Sequence, residues 1–420
     1  MRINDPRYIE KPPSKNEIIR IVLDIEAGRI KLHEIPDNVS QPDKIEIRRI
    51  YLSRINNVDL SPLNISKADQ AEMADLIENI IGAVKIPIGV AGPMIMQRRK
   101  REVKVYVPLA TSEGSLIASV NRGISICNQQ GGINTEIIAD SMTRAPIFKG
   151  RDARHVKDSI NWIKKHINIL AASCKTTSSH CKLNDVQPFQ IGNILNLRFV
   201  YSTGEAMGMN MTTFAAEECS RIIAIKTGLV LLSIAGNMCS DKKPSAINTI
   251  LGRGKTVSAW IKLDNKIIEK RLRTSINRFV EVIQNKIWLG SAYAHSLSFN
   301  AHTANVVAAI FAATGQDLAQ IVESSNSFVW IEQQKNKILF YVQLQSLEIG
   351  TIGGGTSLAG PSALLKLMGC RGAGSSRLMA EIICAAVLAG EISYLGALAA
   401  GEAVNAHRRF GRGMVSVKNN

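Results

Sequence analysis

The sequence predicts an α+β protein of two or three domains, and three observations carry that expectation. The chain has 420 residues, well past the roughly 150 at which a single core is usual. Strand-like alternation at Val103, Val105, Val107 and Leu109 gives way to helical recurrence at Leu116, Ile117, Val120, Ile124 and Cys127. Near the end, residues 376–409 read as one long, almost uniformly apolar helix, and a helix apolar all round is buried in protein.

The elements follow in order. Up to about residue 79, charged helix-like segments alternate with Pro-punctuated loops such as Lys11-Pro12-Pro13-Ser14. Residues 85–93 read as apolar turns and short strands, and Arg98-Arg99-Lys100-Arg101 as a solvated turn. The alternating strand from Glu102 ends at Thr111-Ser112-Glu113-Gly114, where Thr111 or Ser112 would cap the next helix. Between residues 146 and 233, a helix-like stretch (156–170), a polar loop (175–184), a strand (194–201) and a helix from about Thr213 suggest a small α+β domain. A polar loop, residues 236–244, is then wedged between apolar segments, and Gly390, Gly396 and Gly401 would let the last helix pack closely.

Composition narrows the function classes. Hydrophobic residues make up 45% of the chain, too many for a disordered protein. The longest apolar reaches, 228–239 and 382–401, are too short to span a bilayer or are interrupted by Glu391. With no apolar stretch at the start, a soluble, cytoplasmic protein is expected. The seven cysteines are scattered, without C-x-x-C or H-E-x-x-H, so buried free thiols are expected and no metal site. The net charge of +16 is paired with only 5% aromatics, which suits phosphorylated small molecules better than nucleic acid.

Several motifs have two readings. Gly252-Arg253-Gly254-Lys255-Thr256 resembles the end of a phosphate-binding P-loop, but Thr249 stands where the first glycine belongs. The cluster Gly350-Thr351-Ile352-Gly353-Gly354-Gly355 is on pattern alone a tight turn. Asp241-Lys242-Lys243-Pro244 is a solvated loop or a cationic site. Glu113 caps a helix or serves catalysis, Asp317 closes a turn, and His407 meets free carbonyls at a helix end.

Their surroundings match one family. Glu78-Asn79-Ile80-Ile81-Gly82, Pro87-Ile88-Gly89-Val90-Ala91-Gly92-Pro93, Ala110-Thr111-Ser112-Glu113-Gly114 and Asp140-Ser141-Met142-Thr143-Arg144 stand in family order. Gly204-Glu205-Ala206-Met207-Gly208-Met209-Asn210-Met211, Asp241-Lys242-Lys243-Pro244, Gly315-Gln316-Asp317 and Glu348-Ile349-Gly350 complete the set. The chain resembles 3-hydroxy-3-methylglutaryl-coenzyme A (HMG-CoA) reductase, of the class shared by eukaryotes and most archaea, from about Glu78 to His407.

The resemblance implies a fold: an N-terminal helical region (1–80), a large domain in two parts (81–145 and 234–420) around a long central helix, and an inserted ferredoxin-like dinucleotide-binding domain (146–233). It also implies a reaction, the two-step reduction of the HMG-CoA thioester to mevalonate and free CoA by nicotinamide hydride. By resemblance Lys242 is the cation at the carbonyl oxygen and Glu113 the proton donor, a role that calls for a raised pKa. Asp317 tunes both, and His407 protonates the leaving thiolate. Arg144, Asp241, Lys243, Lys286 and Asn305 would contact substrate, and Glu205, Met207, Gly208, Met209 and Asn210 the cofactor. A homodimer or larger assembly with shared sites is implied.

The chain departs from the family at a few positions. NADPH is the expected cofactor, with NADH as the alternative because Ser179 stands where an arginine usually grips the 2′-phosphate of NADP. Glu205 replaces an aspartate, Ala235 a serine and Glu402 a histidine, and the tail Arg408-Arg409-Phe410-Gly411-Arg412-Gly413 has glycine where animal enzymes carry a phosphorylatable serine. The rival readings are an NADH-preferring reductase, a catalytically silent relative and a basic binding protein.

Overall fold

The structure, a computed structural model, describes residues 14–402 apart from 75 and 100. The chain divides between Ile86 and Pro87 into two compact units. The first holds helices α1 (Lys15–Glu26), α2 (Gln41–Asn56) and α3 (Lys67–Ala74). Ser14 and Ser40 cap α1 and α2 by accepting from the Glu17 and Asp43 amides, the usual service of a serine at that position. The apolar stripe Ile18, Val22 and Ile25 packs with Ile35, Val39 and Ile47.

The second unit opens with a hairpin of β1 (Ile88–Arg98) and β2 (Arg101–Ala110). Val105, Val107 and Leu109 are buried on one face of β2, as the alternation predicts. In the basic turn Arg99 is exposed, as expected of a solvated turn, and pairs with Glu136, while Arg98 is half-buried against Glu381. Helix α4 (Leu116–Gln129) starts later than the predicted caps: its N-cap is Ser115, at φ 76°, without a side-chain bond. Thr111 accepts instead from the Glu113 amide at 2.9 Å.

The long strand β3 (Ile133–Arg144) joins two layers of sheet. On one side the order β3-β8-β10-β9 is antiparallel, with β8 (Gly254–Asp264), β9 (Ser327–Gln334) and β10 (Lys337–Leu347). On the other, Met142–Arg144 pair with β6 (Ile194–Ser202), beside β4 (Ile147–Lys149), β5 (Lys182–Ile191) and β7 (Val230–Ser233). Against this second layer lie α5 (Ala153–Lys165), α6 (Ile167–Thr177) and α7 (Met209–Thr227), around a core that includes Phe148, Leu170, Phe199 and Cys219. Three expectations are corrected here. The single helix read over 156–170 breaks at His166, whose ring nitrogen donates to the Trp162 carbonyl at 2.7 Å. The loop read over 175–184 shrinks, because α6 reaches Thr177 and β5 begins at Lys182, and α7 begins at Met209 rather than Thr213.

The remaining helices are α8 (Ala246–Leu251), α9 (Asn265–Ile267), α10 (Ile276–Val282), α11 (Ser291–Tyr293), α12 (Thr303–Thr314), α13 (Ile321–Ser324), α14 (Ala359–Leu367) and α15 (Ser375–Ala399). Among the described residues α15 alone is long and apolar enough to cross a membrane, yet 83% of its most apolar window is buried within the protein. It runs through the larger core with α4 against it. A Cβ at Gly123 would come within 1.8 Å of the Ala389 carbonyl oxygen. The helix ends well before the expected 409. The Gly401 and Glu402 amides turn back to the Leu398 and Ala397 carbonyls, a closure that glycine at φ +72° makes easy.

Candidate active site

The lysine loop lies between β7 and α8. Lys242 sits at φ 57° and Ser240 at φ 50°, a region that side-chain-bearing residues seldom occupy. Neighbours hold the chain there. Asn248 donates to the Ser240 carbonyl at 3.2 Å, and Lys243 Nζ to the Asp241 carbonyl at 3.1 Å. Asp241 Oδ1 accepts from Gln320 Nε2 at 3.0 Å and from Arg253 at 3.1 Å. The Lys242 amide donates to Glu323 Oε1 at 2.7 Å. So fixed, Lys242 Nζ stands 2.8 Å from Asp317 Oδ2. That hydrogen bond raises the lysine pKa against the opposing pull of partial burial.

Asp317 is placed by the end of α12, which closes at Gly315 in the left-handed region. Gln316 is clamped to Gly350 by a reciprocal pair, Nε2 to the carbonyl at 2.9 Å and the Gly350 amide to Oε1 at 3.0 Å. Asp317 also accepts from the Ala319 amide, so it opens the following short turn instead of closing the helix.

The other expected site residues are distributed as follows. Glu113 is exposed and meets Asn305 Nδ2 at 3.4 Å. Among the described residues no hydrogen bond or ion pair joins Glu113 to Lys242 or Asp317. Arg144 lies 3.9 Å from Asp241, at the limit of an ion pair. Lys286 is exposed in the segment Ile283–Gly290 and makes no described ion pair. His407 lies outside the described residues.

The segment ahead of α7 offers a different kind of site. Gly208 caps α7 at φ 94°, with no side chain bonding the first-turn amides among the described residues. A Cβ at Gly208 would strike Thr203 at 2.3 Å, so only glycine lets the backbone come so close. An uncapped helix N-terminus of this length presents amides to an anion, which suits a dinucleotide phosphate. Met207 backs onto Gly350, where a Cβ would come within 2.5 Å of its amide nitrogen. Met209 Sδ accepts from Arg253, and Asn210 is exposed on the first turn. The Glu205 carboxylate is turned to α15: it accepts from the Gly374 and Ser376 amides at 2.7 Å each and from the Ser375 hydroxyl at 3.2 Å. Burial would raise its pKa, but the bonds from Ser376 and Gly374 outweigh it and the pKa is lowered.

Sequence reasoning missed a buried charge cluster behind the lysine loop. Arg253, fully buried, reaches Asp241, Glu323 at 2.9 Å and Glu348. Burial raises the pKa of Glu323, and of Glu348 more strongly. The three carboxylates come within 4.8 Å of one another, but the guanidinium already supplies their cation. The P-loop likeness dissolves in the same place. Residues 252–256 lead into a strand, Lys255 pairs with Asp140 at 3.1 Å, and Thr256 donates to the Gln345 carbonyl. A glycine-flanked arginine that opens an apolar strand, and a glutamate in the small-residue run after Ile321, were the signals available.

Comparison with known proteins adds the following. The family model described as hydroxymethylglutaryl-coenzyme A reductase matches residues 44–412. The 3-hydroxy-3-methylglutaryl-coenzyme A reductase of Methanothermobacter thermautotrophicus is 42% identical over 395 residues, covering 94% of this chain and 100% of that protein. That of Pyrococcus abyssi is 44% identical over 404 residues, covering 93% and 99%. The Zea mays reductase is 38% identical, covering 96% of this chain and 71% of that protein. Among solved structures, the class II reductase of Streptococcus pneumoniae bound to NADPH matches 83% of this chain and 97% of that one. Its TM-score is 0.62 at 20% identity, a likeness of fold.

Proposed function

Because this chain belongs to the hydroxymethylglutaryl-coenzyme A reductase family, we propose that the lysine loop and the acidic groups around it perform that family's reduction. The protein is an oxidoreductase of the mevalonate route: HMG-CoA, two reduced nicotinamide dinucleotides and two protons give mevalonate, free CoA and two oxidised dinucleotides. One observation carries the assignment of roles, the 2.8 Å pair of Lys242 and Asp317 on a loop whose backbone is anchored from behind.

Lys242 holds the carbonyl oxygen as negative charge develops on it. A preorganised donor of this kind contributes roughly 10²–10³ in rate. Asp317 keeps that ammonium charged and aimed. Glu113 delivers a proton to the oxygen, and His407 protonates the departing thiolate. Arg144, Lys243 and Lys286 receive the substrate carboxylate and nearby oxygens, Asn305 adds a polar contact, and Asp241 holds the loop. The dinucleotide, which supplies hydride at both steps, is held by Met207, Gly208, Met209 and Asn210, its phosphates at the α7 N-terminus and Glu205 bracing the loop. The layer formed by residues 146–233 is read as the ferredoxin-like cofactor domain, inserted between the two parts of the large domain (81–145 and 234–420) beyond the helical region 1–80.

The exposed Glu113 carboxylate, which among the described residues hydrogen-bonds Asn305 alone, supports a homodimer in which a second copy completes each site. The compartment is read as cytoplasmic. NADPH is the proposed cofactor. NADH is the alternative because Ser179, exposed ahead of β5, brings no charge to the place of the family's arginine. The test is steady-state oxidation of each dinucleotide with HMG-CoA, alongside release of CoA thiol. Two equivalents of NADPH per thiol are expected. Strong preference for NADH would overturn the cofactor assignment, and no oxidation of either would overturn the reading.

A further inference from the structure

We propose that Glu323 is a positioning residue for Lys242, and that Arg253 and Glu348 hold it to that task. The proposal rests on the reading of Lys242 as the cation of the reaction.

The lysine backbone is in a conformation that L-residues seldom adopt, at φ 57°. Glycine would relax it, but the reaction needs the side chain, so the conformation has to be imposed from outside. Glu323 imposes it with one oxygen. Oε1 accepts from the Lys242 amide at 2.7 Å and from Arg253 at 2.9 Å. Glu323 lies on α13 and is wholly buried, as is Arg253 at the mouth of β8. Glu348, just beyond β10, reaches the same guanidinium, and its amide takes the Ser324 hydroxyl as acceptor at 3.0 Å. The arginine also grips Asp241, the residue before the lysine, at 3.1 Å. Two successive loop residues are thus fixed from one buried cluster, through the main chain of one and the side chain of the other.

The second carboxylate oxygen of Glu323 has no hydrogen-bond partner among the described residues. Gln320 is engaged with Asp241, and the Lys242 ammonium points to Asp317 rather than into the cluster. Glu323 therefore touches no reacting atom. It acts on the site through the angle at which the lysine leaves its backbone.

Reach and charge can be separated. Glu323→Gln keeps an oxygen where Oε1 stands and loses the charge, whereas Glu323→Asp keeps the charge and withdraws the oxygen by one methylene. Glu323→Gln is expected to retain kcat within about threefold. Glu323→Asp is expected to lose about 10–100-fold in kcat, the scale of a buried amide left without its acceptor, with KM for NADPH unchanged. Equal activity of the two variants, or a Gln variant as slow as the Asp one, would overturn the proposal. In the wild-type protein the Lys242 amide should exchange with deuterium far more slowly than its exposed loop neighbours. Fast exchange there would overturn it whatever the variants do. Lys242→Ala, run beside them, tests the underlying reading separately: full turnover in that variant would remove the lysine's role and leave the exchange result standing.

Discussion

The ammonium of Lys242 and the carboxylate of Asp317, far apart in sequence, meet at 2.8 Å with each side chain partly open to solvent. Lys242→Ala is expected to lower kcat by roughly 10²–10³ while CoA still binds. The bond to Asp317 raises the lysine pKa, so activity that needs the protonated lysine persists to higher pH than an ordinary lysine would allow. Asp317→Asn removes that support, and the alkaline limb of kcat/KM should move to lower pH. A pH–rate profile of both proteins checks the direction.

The carboxylate of Glu205 closes the N-terminus of α15 through the Gly374 and Ser376 amides. Glu205→Gln should lower stability at neutral pH by about 1 kcal/mol, the usual scale of a helix cap. The sign with pH follows from the lowered pKa. A carboxylate depressed in the folded state contributes fully above its unfolded value and loses that contribution as pH falls through the folded value. The gap in urea midpoint between wild type and Glu205→Gln should therefore narrow in acid.

Glu391, fully buried on α15, accepts from the Ala301 and His302 amides at 2.8 Å each. These amides open α12, which carries Asn305 and leads to Asp317. Glu391→Ala would leave both unpaired inside the protein, at an expected loss of about 2–4 kcal/mol. Glu391→Gln keeps one oxygen acceptor and should lose less. Urea unfolding of the two variants gives the comparison.

All seven cysteines are buried and free. Burial pushes the Cys181 thiol up to about 11 and the Cys370 thiol up to about 12. Although contact with Cys174 lowers the Cys219 thiol, all seven are buried, so the native protein should react with almost no disulfide reagent at neutral pH and titrate seven thiols once unfolded. Rapid labelling of one or more native thiols would contradict the burial.

Much of this was legible in the residues. Alternation marked β2 because Val105, Val107 and Leu109 share one buried face, and the apolar run marked α15 because its surroundings are protein on every side. Helix ends were harder. His166 breaks a helical run with a side-chain bond to its own preceding turn, and Gly401 stops α15 by a backbone closure that apolar periodicity does not register. The Lys242–Asp317 pair was expected from the family's motifs. The buried Arg253 cluster was not, because Asp241, Arg253, Glu323 and Glu348 belong to four separate segments and meet only when the sheet has formed.

One consequence concerns the long helix α15. Its first turn is tied to the loop proposed to carry the hydride donor, and its middle, through Glu391, is tied to the helix leading to Asp317. A sideways shift of that single rod would therefore carry donor and acceptor in the same direction. One rod thus braces both the proposed cofactor loop and the helix that leads to Asp317.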